Sequence, residues 1–286
     1  MSRGGPPRRF VVGAVQMRST ADRSRNLALA DRLAAEAAAG GAEVIAFPEN
    51  AAFLREGSGT PRGEDLDGET ADRFAAMARS HRAWVLAGTI AERIPGRRKI
   101  RNTSILFDPK GRRAAVYRKM HLFDAAIPGR VSFRESAVVE AGDRPVVTRT
   151  PYGTIGLTVC FDLRFPELFR VLALSGATVV FVPSAFTAYT GSLHWEALLR
   201  ARAIENQTWV VAPAQWGTHH PGRRSYGHAC VVDPWGRIVA EKARGDGVVI
   251  ATVDPAVAEE ARRQIPVLPA VRRGPGGLLS GTRART

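Results

Sequence analysis

Short apolar runs alternate along the chain with longer segments in which apolar residues recur at helical spacing. The runs are rich in valine and isoleucine, a composition that favours β-strands. Strands are predicted for residues 10–16, 43–47, 84–90, 155–159, 179–182, 209–213, 227–232, 238–240 and 248–253. Two more strands are predicted within residues 102–117, joined by a turn in which Pro109 and Gly111 suit the turn dihedrals.

The segments with helical spacing predict helices for residues 22–39, 70–80, 166–174 and 194–205. Gly40 and Gly41 end the first of these helices, and Pro166 suits the first turn of the third. Because strands and helices alternate, we expect an α/β architecture of layered sheets covered by helices.

No stretch of the sequence has the composition of an interdomain linker, and no repeat of fixed period is present. We therefore predict a single domain over residues 10–268. A basic head, residues 1–9, and a basic tail, residues 269–286, flank this domain, and both are expected to be flexible.

The formal net charge of +14 raises the question of nucleic-acid binding. The head and the tail carry seven cations without accompanying acids: Arg3, Arg8, Arg9, Arg272, Arg273, Arg283 and Arg285. The remaining basic residues are mixed with Asp and Glu, and no helix-turn-helix, zinc-finger or RNA-binding signature is present. We predict no nucleic-acid partner; weak affinity for anionic surfaces stays open as an alternative.

The two cysteines, Cys160 and Cys230, are too few for a disulfide framework. Free thiols favour a reducing compartment. The apolar run after the basic N-terminus is too short for a secretory signal, and no run approaches the roughly 20 residues of a membrane span. We expect a cytoplasmic protein without a membrane partner.

Cys160 stands between an apolar strand and a polar turn that leads into the helix at Pro166. A cysteine at such a turn lies near backbone N–H groups, which can lower the pKa of the thiol and hold an oxyanion. A buried and inert thiol is the alternative. For Cys230, which lies in an apolar run, the inert thiol is the favoured interpretation.

Two further residues have the chemistry to assist a nucleophile. Glu49 follows an apolar strand, where burial could raise the pKa of its carboxyl group and make it a general base. Alternate side chains of a strand share a face, so Lys119 should point with Tyr117 and away from Arg118, and could stabilise an oxyanion. Taken singly, an ordinary loop acid is the favoured interpretation of Glu49, and a solvated strand charge is the alternative for Lys119.

Residues 47–49 (FPE), 117–122 (YRKMHL) and 160–167 (CFDLRFPE) resemble, in order and spacing, the three signature blocks of the nitrilase superfamily of carbon–nitrogen hydrolases. The resemblance extends from Phe10 to about Pro269. Residues 122–136 and 194–207 are typical of its Nit branch. Residues 191–193 (GSL) and Trp216 depart from the usual pattern, which bears on the substrate rather than on the reaction type.

The resemblance implies a four-layer α-β-β-α sandwich that forms a homodimer or a higher homo-oligomer. It implies a catalytic triad of Glu49, Lys119 and Cys160, a second glutamate that we assign to Glu135, and no metal or organic cofactor. In this scheme the backbone N–H of Phe161 holds the oxyanion together with Lys119.

The same resemblance implies an amidase that converts a small linear carboxamide to an acid and ammonia through a thioester on Cys160. Deaminated glutathione is the expected substrate, and 2-oxoglutaramate is the close alternative. Aliphatic amides, N-carbamoyl compounds and nitriles are less favoured. A catalytically silent scaffold is the non-enzymatic alternative, against which the intact Glu49, Lys119 and Cys160 argue.

Four other side chains are candidates for contact with this substrate. Arg130 and Arg164 could pair with a substrate carboxylate, although a structural ion pair is an equal alternative for Arg164. Thr187 lies in a loop after a strand, and His194 begins a predicted helix, where loop packing and helix capping are the alternatives. No metal site is predicted, because three further histidines lack the spacing of metal ligands: His219, His220 and His228.

Overall fold

The computed structural model of the protein describes residues 7–57, 62–129 and 131–271. The strands, in chain order, are β1 (Phe10–Met17), β2 (Val44–Ala46), β3 (Trp84–Leu86), β4 (Ile90–Arg93), β5 (Ile100–Phe107), β6 (Arg113–Arg118), β7 (Asp124–Ile127), β8 (Val131–Arg134), β9 (Val146–Thr150), β10 (Gly153–Leu157), β11 (Ala177–Phe181), β12 (Trp209–Ala212), β13 (Ala214–His220), β14 (Arg223–Tyr226), β15 (Ala229–Val232), β16 (Ile238–Lys242) and β17 (Gly247–Val253). The helices are α1 (Arg23–Ala39), α2 (Glu69–His81), α3 (Pro166–Leu174), α4 (Ala188–Asn206) and α5 (Pro255–Gln264). Two 3₁₀ turns cover Glu135–Ala137 and Cys160–Arg164.

Two mixed sheets form the centre of the molecule. The first has nine strands, in the order β14-β13-β1-β2-β3-β5-β4, with β17 also paired to β1 and β6 to β5. The second has six strands, in the order β16-β15-β12-β11-β10-β9. Strands β7 and β8 form a separate hairpin. In each large sheet, the parallel strands send their carboxyl ends to the same edge.

The alternation of side chains along β1 and β2 assigns the two faces of the first sheet. Val12 and Val44 belong to the core that also contains side chains of the second sheet. Val15 and Ile45 belong to the core formed with α1 and α2. Successive strand residues point to opposite faces, so this one sheet contributes apolar side chains to two cores, one on each face. With α3 and α4 packed against the second sheet, the predicted α-β-β-α sandwich is confirmed.

Most predicted elements occur within a few residues of their expected bounds, but several predictions are wrong. The segment predicted as one strand over residues 84–90 contains β3 and only the beginning of β4. The hairpins β7–β8 and β13–β14, together with β9 and α5, were not predicted. The β13–β14 hairpin is rich in His and Arg, so it lacks the apolar run that signals a strand.

Helix α4 begins at Ala188, six residues before the predicted start, so His194 lies inside the helix and does not begin it. Gly191 explains the difference. Glycine weakens the helix signal in a sequence, but a Cβ atom at this position would lie only 2.4 Å from the Cβ atom of Tyr226. The close approach of α4 to β14 therefore requires a residue without a side chain here.

Part of the predicted flexible head is fixed in the structure. Arg8 forms an ion pair with Glu43 at 2.7 Å, and its backbone N–H donates to the carbonyl of Pro151 at 3.3 Å. Residues 1–6 and 272–286, which make up the rest of the predicted head and most of the tail, lie outside the described residues. Among the described residues, no helix combines the length and apolar character needed to cross a bilayer.

Candidate active site

Three buried side chains meet beyond the carboxyl ends of strands from both sheets. Glu49 follows β2, Lys119 follows β6, and Cys160 follows β10. Their residues expose only 3%, 2% and 7% of their surface, respectively. Ligands of α/β proteins commonly bind at this end of the strands.

Lys119 lies between two carboxylates. Its Nζ atom donates to Glu49 Oε1 at 2.9 Å and to Glu135 Oε2 at 2.8 Å. Asn102 links the same two glutamates, because its Nδ2 donates to Glu49 Oε1 at 2.9 Å and to Glu135 Oε1 at 3.1 Å. The backbone N–H of Ala185 donates to the other oxygen of Glu49 at 3.0 Å. The Glu49 carboxylate is therefore fixed by donors on both of its oxygens.

The alternation expected for β6 agrees with this arrangement. Tyr117 and Lys119 are both buried on the inner side. Arg118, between them, forms an ion pair with Glu92 at 2.6 Å. Because successive side chains of a strand point to opposite faces, Lys119 points into the site and Arg118 points away from it.

The backbone at Cys160 is in the left-handed region, with φ of 48°, which is uncommon for a residue with a side chain. Its N–H donates to the carbonyl of Pro183 at 3.0 Å, and the following residues form a 3₁₀ turn. Such strained conformations are concentrated at functional sites. Among the described residues, no carbonyl accepts the N–H of Phe161, so this donor is available next to the thiol.

Asp162 holds the turn that carries Cys160. This carboxylate is fully buried and accepts hydrogen bonds from the Tyr117 hydroxyl at 2.7 Å and from the Val159 N–H at 2.8 Å. It also accepts from the backbone N–H of His121 at 3.0 Å and lies 2.7 Å from the Nδ1 atom of the same residue. Asp162 thereby connects the cysteine turn to the strand end that carries Lys119.

The charges of the site set its protonation states. Burial alone would raise the pKa of Glu49, but the Lys119 ammonium, the hydrogen bond with Cys160 and the charge of Arg223 together outweigh burial, and the pKa of Glu49 lies below its ordinary value. Burial would lower the pKa of Lys119, but Glu135 and Glu49 raise it above its ordinary value. Burial and the charge of Glu49 raise the pKa of the Cys160 thiol. The resting site therefore pairs an ionised glutamate with a neutral thiol.

These directions correct two expectations drawn from the sequence. A raised pKa for Glu49 is wrong because an ammonium group lies within hydrogen-bonding distance of its carboxylate. A lowered pKa for Cys160 is wrong because the thiol is buried beside a carboxylate. The cysteine therefore needs the adjacent base at the moment of attack, since a standing thiolate is not favoured.

A cavity of about 730 Å³ opens onto the three residues. Glu49, Lys119, Glu135 and Cys160 all line it, as does Thr187. The cavity therefore brings together the four predicted catalytic residues and one of the predicted substrate contacts.

Two of the other predicted contacts, Arg164 and His194, contact each other. Arg164 Nη1 is 3.2 Å from His194 Nδ1, and its guanidinium lies over the ring of Phe186 at 5.0 Å from the centroid. Arg164, His194 and Phe161 are not among the described lining residues. Arg130 lies outside the described residues.

The sequence interpretation missed several residues of the site. Asn102 and the N–H of Ala185 position Glu49, and Arg55 and Arg223 line the cavity. No local pattern identifies a single asparagine in an apolar strand or an arginine at a hairpin start. The three histidines without metal-ligand spacing have separate partners: Ser19 and Ser225 for His219, Pro221 for His220, and Glu241 for His228.

Comparison with known proteins agrees with this geometry. The family described as carbon-nitrogen hydrolase matches residues 11–263. A Synechocystis protein named deaminated glutathione amidase is 42% identical over 265 residues, covering 91% of this chain and 97% of that protein. The human protein of the same name is 42% identical, covering 90% of this chain and 80% of its own length.

Solved structures give the same result. The NitFhit protein of C. elegans superposes with a TM-score of 0.85 at 36% identity, covering 94% of this chain and 66% of that one. Nit3 of Saccharomyces cerevisiae, described as a member of branch 10 of the nitrilase superfamily, superposes with a TM-score of 0.80 at 31% identity, covering 91% and 95%. With its buried Glu49, Lys119 and Cys160, this chain belongs to the carbon–nitrogen hydrolase family, the nitrilase superfamily, and is an amidase.

Proposed function

We propose that this amidase hydrolyses deaminated glutathione through a thioester on Cys160. The observation that carries the mechanism is the convergence of Cys160, an ionised Glu49 and the Lys119 ammonium on one cavity. The observation that supports the substrate is the name of the relatives in Synechocystis and human, each 42% identical over nearly the whole chain.

In the acylation step, Glu49 takes the proton of the Cys160 thiol while the sulfur attacks the amide carbonyl. The oxyanion that forms is held by Lys119 and the backbone N–H of Phe161. Glu49 then passes the proton to the amide nitrogen, the C–N bond breaks, and the amine leaves. An acyl thioester remains on Cys160, and a difficult reaction has been divided into two easier ones.

In the deacylation step, Glu49 takes a proton from water as the water oxygen attacks the thioester carbonyl. The same donors hold the second oxyanion. The C–S bond breaks, the sulfur recovers its proton, and the acid leaves. Each well-placed oxyanion donor lowers the barrier by about 3–4 kcal/mol.

The leaving group requires a correction of the reaction expected from the sequence. Deaminated glutathione carries its scissile bond as a secondary amide between a 2-oxoglutaryl group and a dipeptide. Its hydrolysis therefore releases 2-oxoglutarate and cysteinylglycine, not ammonia. Ammonia is released only from primary amides such as 2-oxoglutaramate, so an ammonia assay would overlook the proposed reaction.

We assign Glu135 to positioning. Its carboxylate accepts hydrogen bonds from Lys119 Nζ and, at 2.6 Å, from the backbone N–H of Phe123. The second hydrogen bond connects Glu135 to the segment after β6. Glu135 thereby gives the ammonium group a second carboxylate partner beside Glu49. It also keeps Lys119 charged, because its carboxylate is the largest of the influences that raise the pKa of Lys119.

The test is to measure 2-oxoglutarate release from deaminated glutathione and ammonia release from 2-oxoglutaramate, butyramide, an N-carbamoyl amino acid and a nitrile. We expect deaminated glutathione to have the highest kcat/KM, and the Cys160→Ala variant to be inactive on all of them. A leading substrate of another class would refute the proposed substrate and leave the triad in place. Turnover by Cys160→Ala would refute the thioester.

The scaffold alternative is tested on the same preparations. Stoichiometric loss of the Cys160 thiol with iodoacetamide, blocked by substrate, is expected of an enzyme. An unprotected Cys160 together with no turnover of any amide would favour the scaffold.

A further inference from the structure

The cavity carries more positive charge than its catalytic residues supply. Its described lining includes five arginine or lysine side chains and three glutamates: Arg23, Arg55, Lys119, Arg223, Arg224, Glu49, Glu64 and Glu135. Lys119 forms ion pairs with Glu49 and Glu135, and Arg23 forms an ion pair with Glu64 at 3.7 Å. The acyl-transfer steps assign no direct role to the other three arginines, although the charge of Arg223 contributes to the low pKa of Glu49.

Arg223 forms part of the cavity wall. It is the first residue of β14 and is half-buried. Its guanidinium lies over the ring of Phe133, 4.7 Å from the centroid. Within the described residues, no carboxylate lies within ion-pair distance of Arg223, although many other arginines of the chain have such a partner. Its aromatic support leaves the N–H donors free for a planar anion.

The strand beneath Arg223 is firmly held. Ser225, two residues further along β14, forms a bridge with Thr187 and lies 2.8 Å from the Nε2 atom of His219. Gly191 allows the next residue, Tyr226, to pack closely against α4. Rigid elements of this kind hold a binding group in a defined place.

Arg55 reaches the same region from the segment after β2. Burial lowers the pKa of Arg55, and the charge of Arg223 lowers it further, whereas Glu135 acts in the opposite direction. The charges of Arg55 and Arg223, which line the same cavity, therefore act on each other, while Glu135 acts on Arg55 and Arg223 acts on Glu49. Like charges held together in a cavity are favoured when an anion lies between them.

A substrate carboxylate would otherwise be excluded from this site. Glu49 and Glu135 present two negative charges against the single charge of Lys119. An anionic amide must place its carbonyl at the thiol without bringing its carboxylate against these glutamates. The cavity is large enough to hold the carboxylate away from the thiol.

We propose that Arg223, together with Arg55, forms a subsite for a carboxylate of the substrate that lies remote from the scissile carbonyl. The inference rests on the proposed function, which it deepens by assigning the recognition of anionic amides to these residues rather than to Arg130 or Arg164. The subsite selects anionic amides over neutral amides of the same length.

The test uses iodoacetamide labelling of Cys160, because this neutral amide reagent reports an intact thiol without requiring the carboxylate subsite. The 2-oxoglutarate dianion serves as the competing carboxylate. In the wild-type protein, 2-oxoglutarate is expected to slow labelling. In Arg223→Met, the concentration needed for the same protection should rise at least about tenfold, the effect of a lost hydrogen bond to a charged group.

Labelling without 2-oxoglutarate should still go to completion in Arg223→Met, because the neutral reagent does not use the carboxylate subsite. Arg149→Met removes the same charge from an exposed position of β9 that does not line the cavity, and it should behave as the wild type. With deaminated glutathione, kcat/KM should fall by a factor similar to the loss of protection, mainly through KM. Arg55→Met should give the same pattern.

Unchanged protection in Arg223→Met and Arg55→Met would overturn the subsite, and so would a wild-type protein that 2-oxoglutarate does not protect. Collapse of labelling itself in both variants would also overturn it, since the arginines would then maintain the site rather than recognise an anion. Absence of turnover with deaminated glutathione, combined with arginine-dependent protection, would refute the proposed substrate and leave the subsite standing.

Discussion

At the scale of single residues, the site works by placing opposite charges in a buried space. The pKa of Glu49 is low because Lys119 is adjacent, and the pKa of Lys119 is high because two carboxylates surround it. Each group determines the protonation state of the next. A change in one of them should therefore be visible in the pH dependence of the reaction.

The first prediction concerns the pH at which kcat/KM falls on the acid side of its pH profile. Glu49 must be ionised to accept the thiol proton, and its pKa lies below its ordinary value. Activity is therefore expected to persist as the pH falls to the ordinary glutamate pKa of about 4.3, and to be lost only below it. Kinetics from pH 3 to pH 8, with circular dichroism to confirm folding at each pH, would check this. An acid limb near neutrality in a folded protein would contradict the assignment.

Glu135→Gln tests the second carboxylate. The amide keeps the shape but removes the charge that most raises the pKa of Lys119. We expect kcat to fall about 10- to 100-fold, less than the loss of an oxyanion donor itself, with KM little changed. The alkaline limb governed by Lys119 should move to lower pH, because the ammonium loses a stabilising partner. An unchanged kcat and an unchanged alkaline limb would remove Glu135 from the positioning role.

The sequence identified the residues with reactive groups, because Glu49, Lys119 and Cys160 each stand in a strand-end motif. It gave the wrong pKa directions because these depend on neighbours that are distant in the chain. It could not reveal Asn102, whose role depends on two glutamates brought together by folding. Arg130 and Arg164 were proposed only because a guanidinium group can pair with a substrate carboxylate. The sequence does not indicate whether either side chain points into the site.

At the scale of elements, the catalytic geometry depends on one connection between two loops. Asp162 joins the 3₁₀ turn of Cys160 to the end of β6 through Tyr117 and His121. An amide in its place cannot accept all of these donors and would direct its own NH₂ group against some of them. A loss of this connection should affect both stability and the position of the thiol.

Asp162→Asn is therefore expected to lower the free energy of unfolding by about 2–4 kcal/mol, the cost of disrupting a buried charged network. Urea denaturation would measure this change, and the rate of Cys160 labelling in the folded variant would report the displaced thiol. Asp143→Asn is the matched control, since Asp143 is exposed and forms its ion pair with the adjacent Arg144. Equal stability of the two variants would contradict the proposed connection.

Gly191→Ala tests the contact between α4 and β14. Alanine favours helices more than glycine does, yet its Cβ atom would overlap with Tyr226. Overpacking of this kind costs typically 1–3 kcal/mol, so we expect a lower melting temperature. In the Tyr226→Ala background the same change should be neutral or stabilising. A stabilised Gly191→Ala protein would show that the two elements can separate.

Element prediction succeeded where a single pattern dominated. The buried strands have continuous apolar runs, and α3 begins at Pro166 and ends at Leu174 as predicted. It failed where tertiary contacts decide, as for the polar β13–β14 hairpin and the glycine in α4. Helix α5 had a usable signal: Asp254 accepts a hydrogen bond from the N–H of Ala256, and Pro255 occupies the first turn.

At the scale of the whole molecule, the first and last strands are neighbours. Along its length, β1 pairs with β17 from Phe10 to Gln16, opposite Val253 to Gly247. It pairs with β2 at Val12 to Ala14. The two ends of the domain therefore meet in the interior of the first sheet.

Two truncations should consequently have opposite results. Removal of residues 272–286, in the predicted flexible tail, should leave the activity and the melting temperature unchanged. Removal of everything after residue 246 takes away β17 and α5, exposes the length of β1, and should give no cooperative unfolding transition. Calorimetry of both proteins would measure this. A folded protein that ends at residue 246 would show that β17 is dispensable.

The pairing of β1 with β17 also has a consequence for the order of events in synthesis. The ribosome makes β1 first, but its partner emerges only after nearly all of the other strands have been made. During that interval the nascent chain carries an apolar strand with unpaired backbone groups, which can associate with other chains. The interval before β17 emerges from the ribosome is therefore a stage at which this chain is open to aggregation.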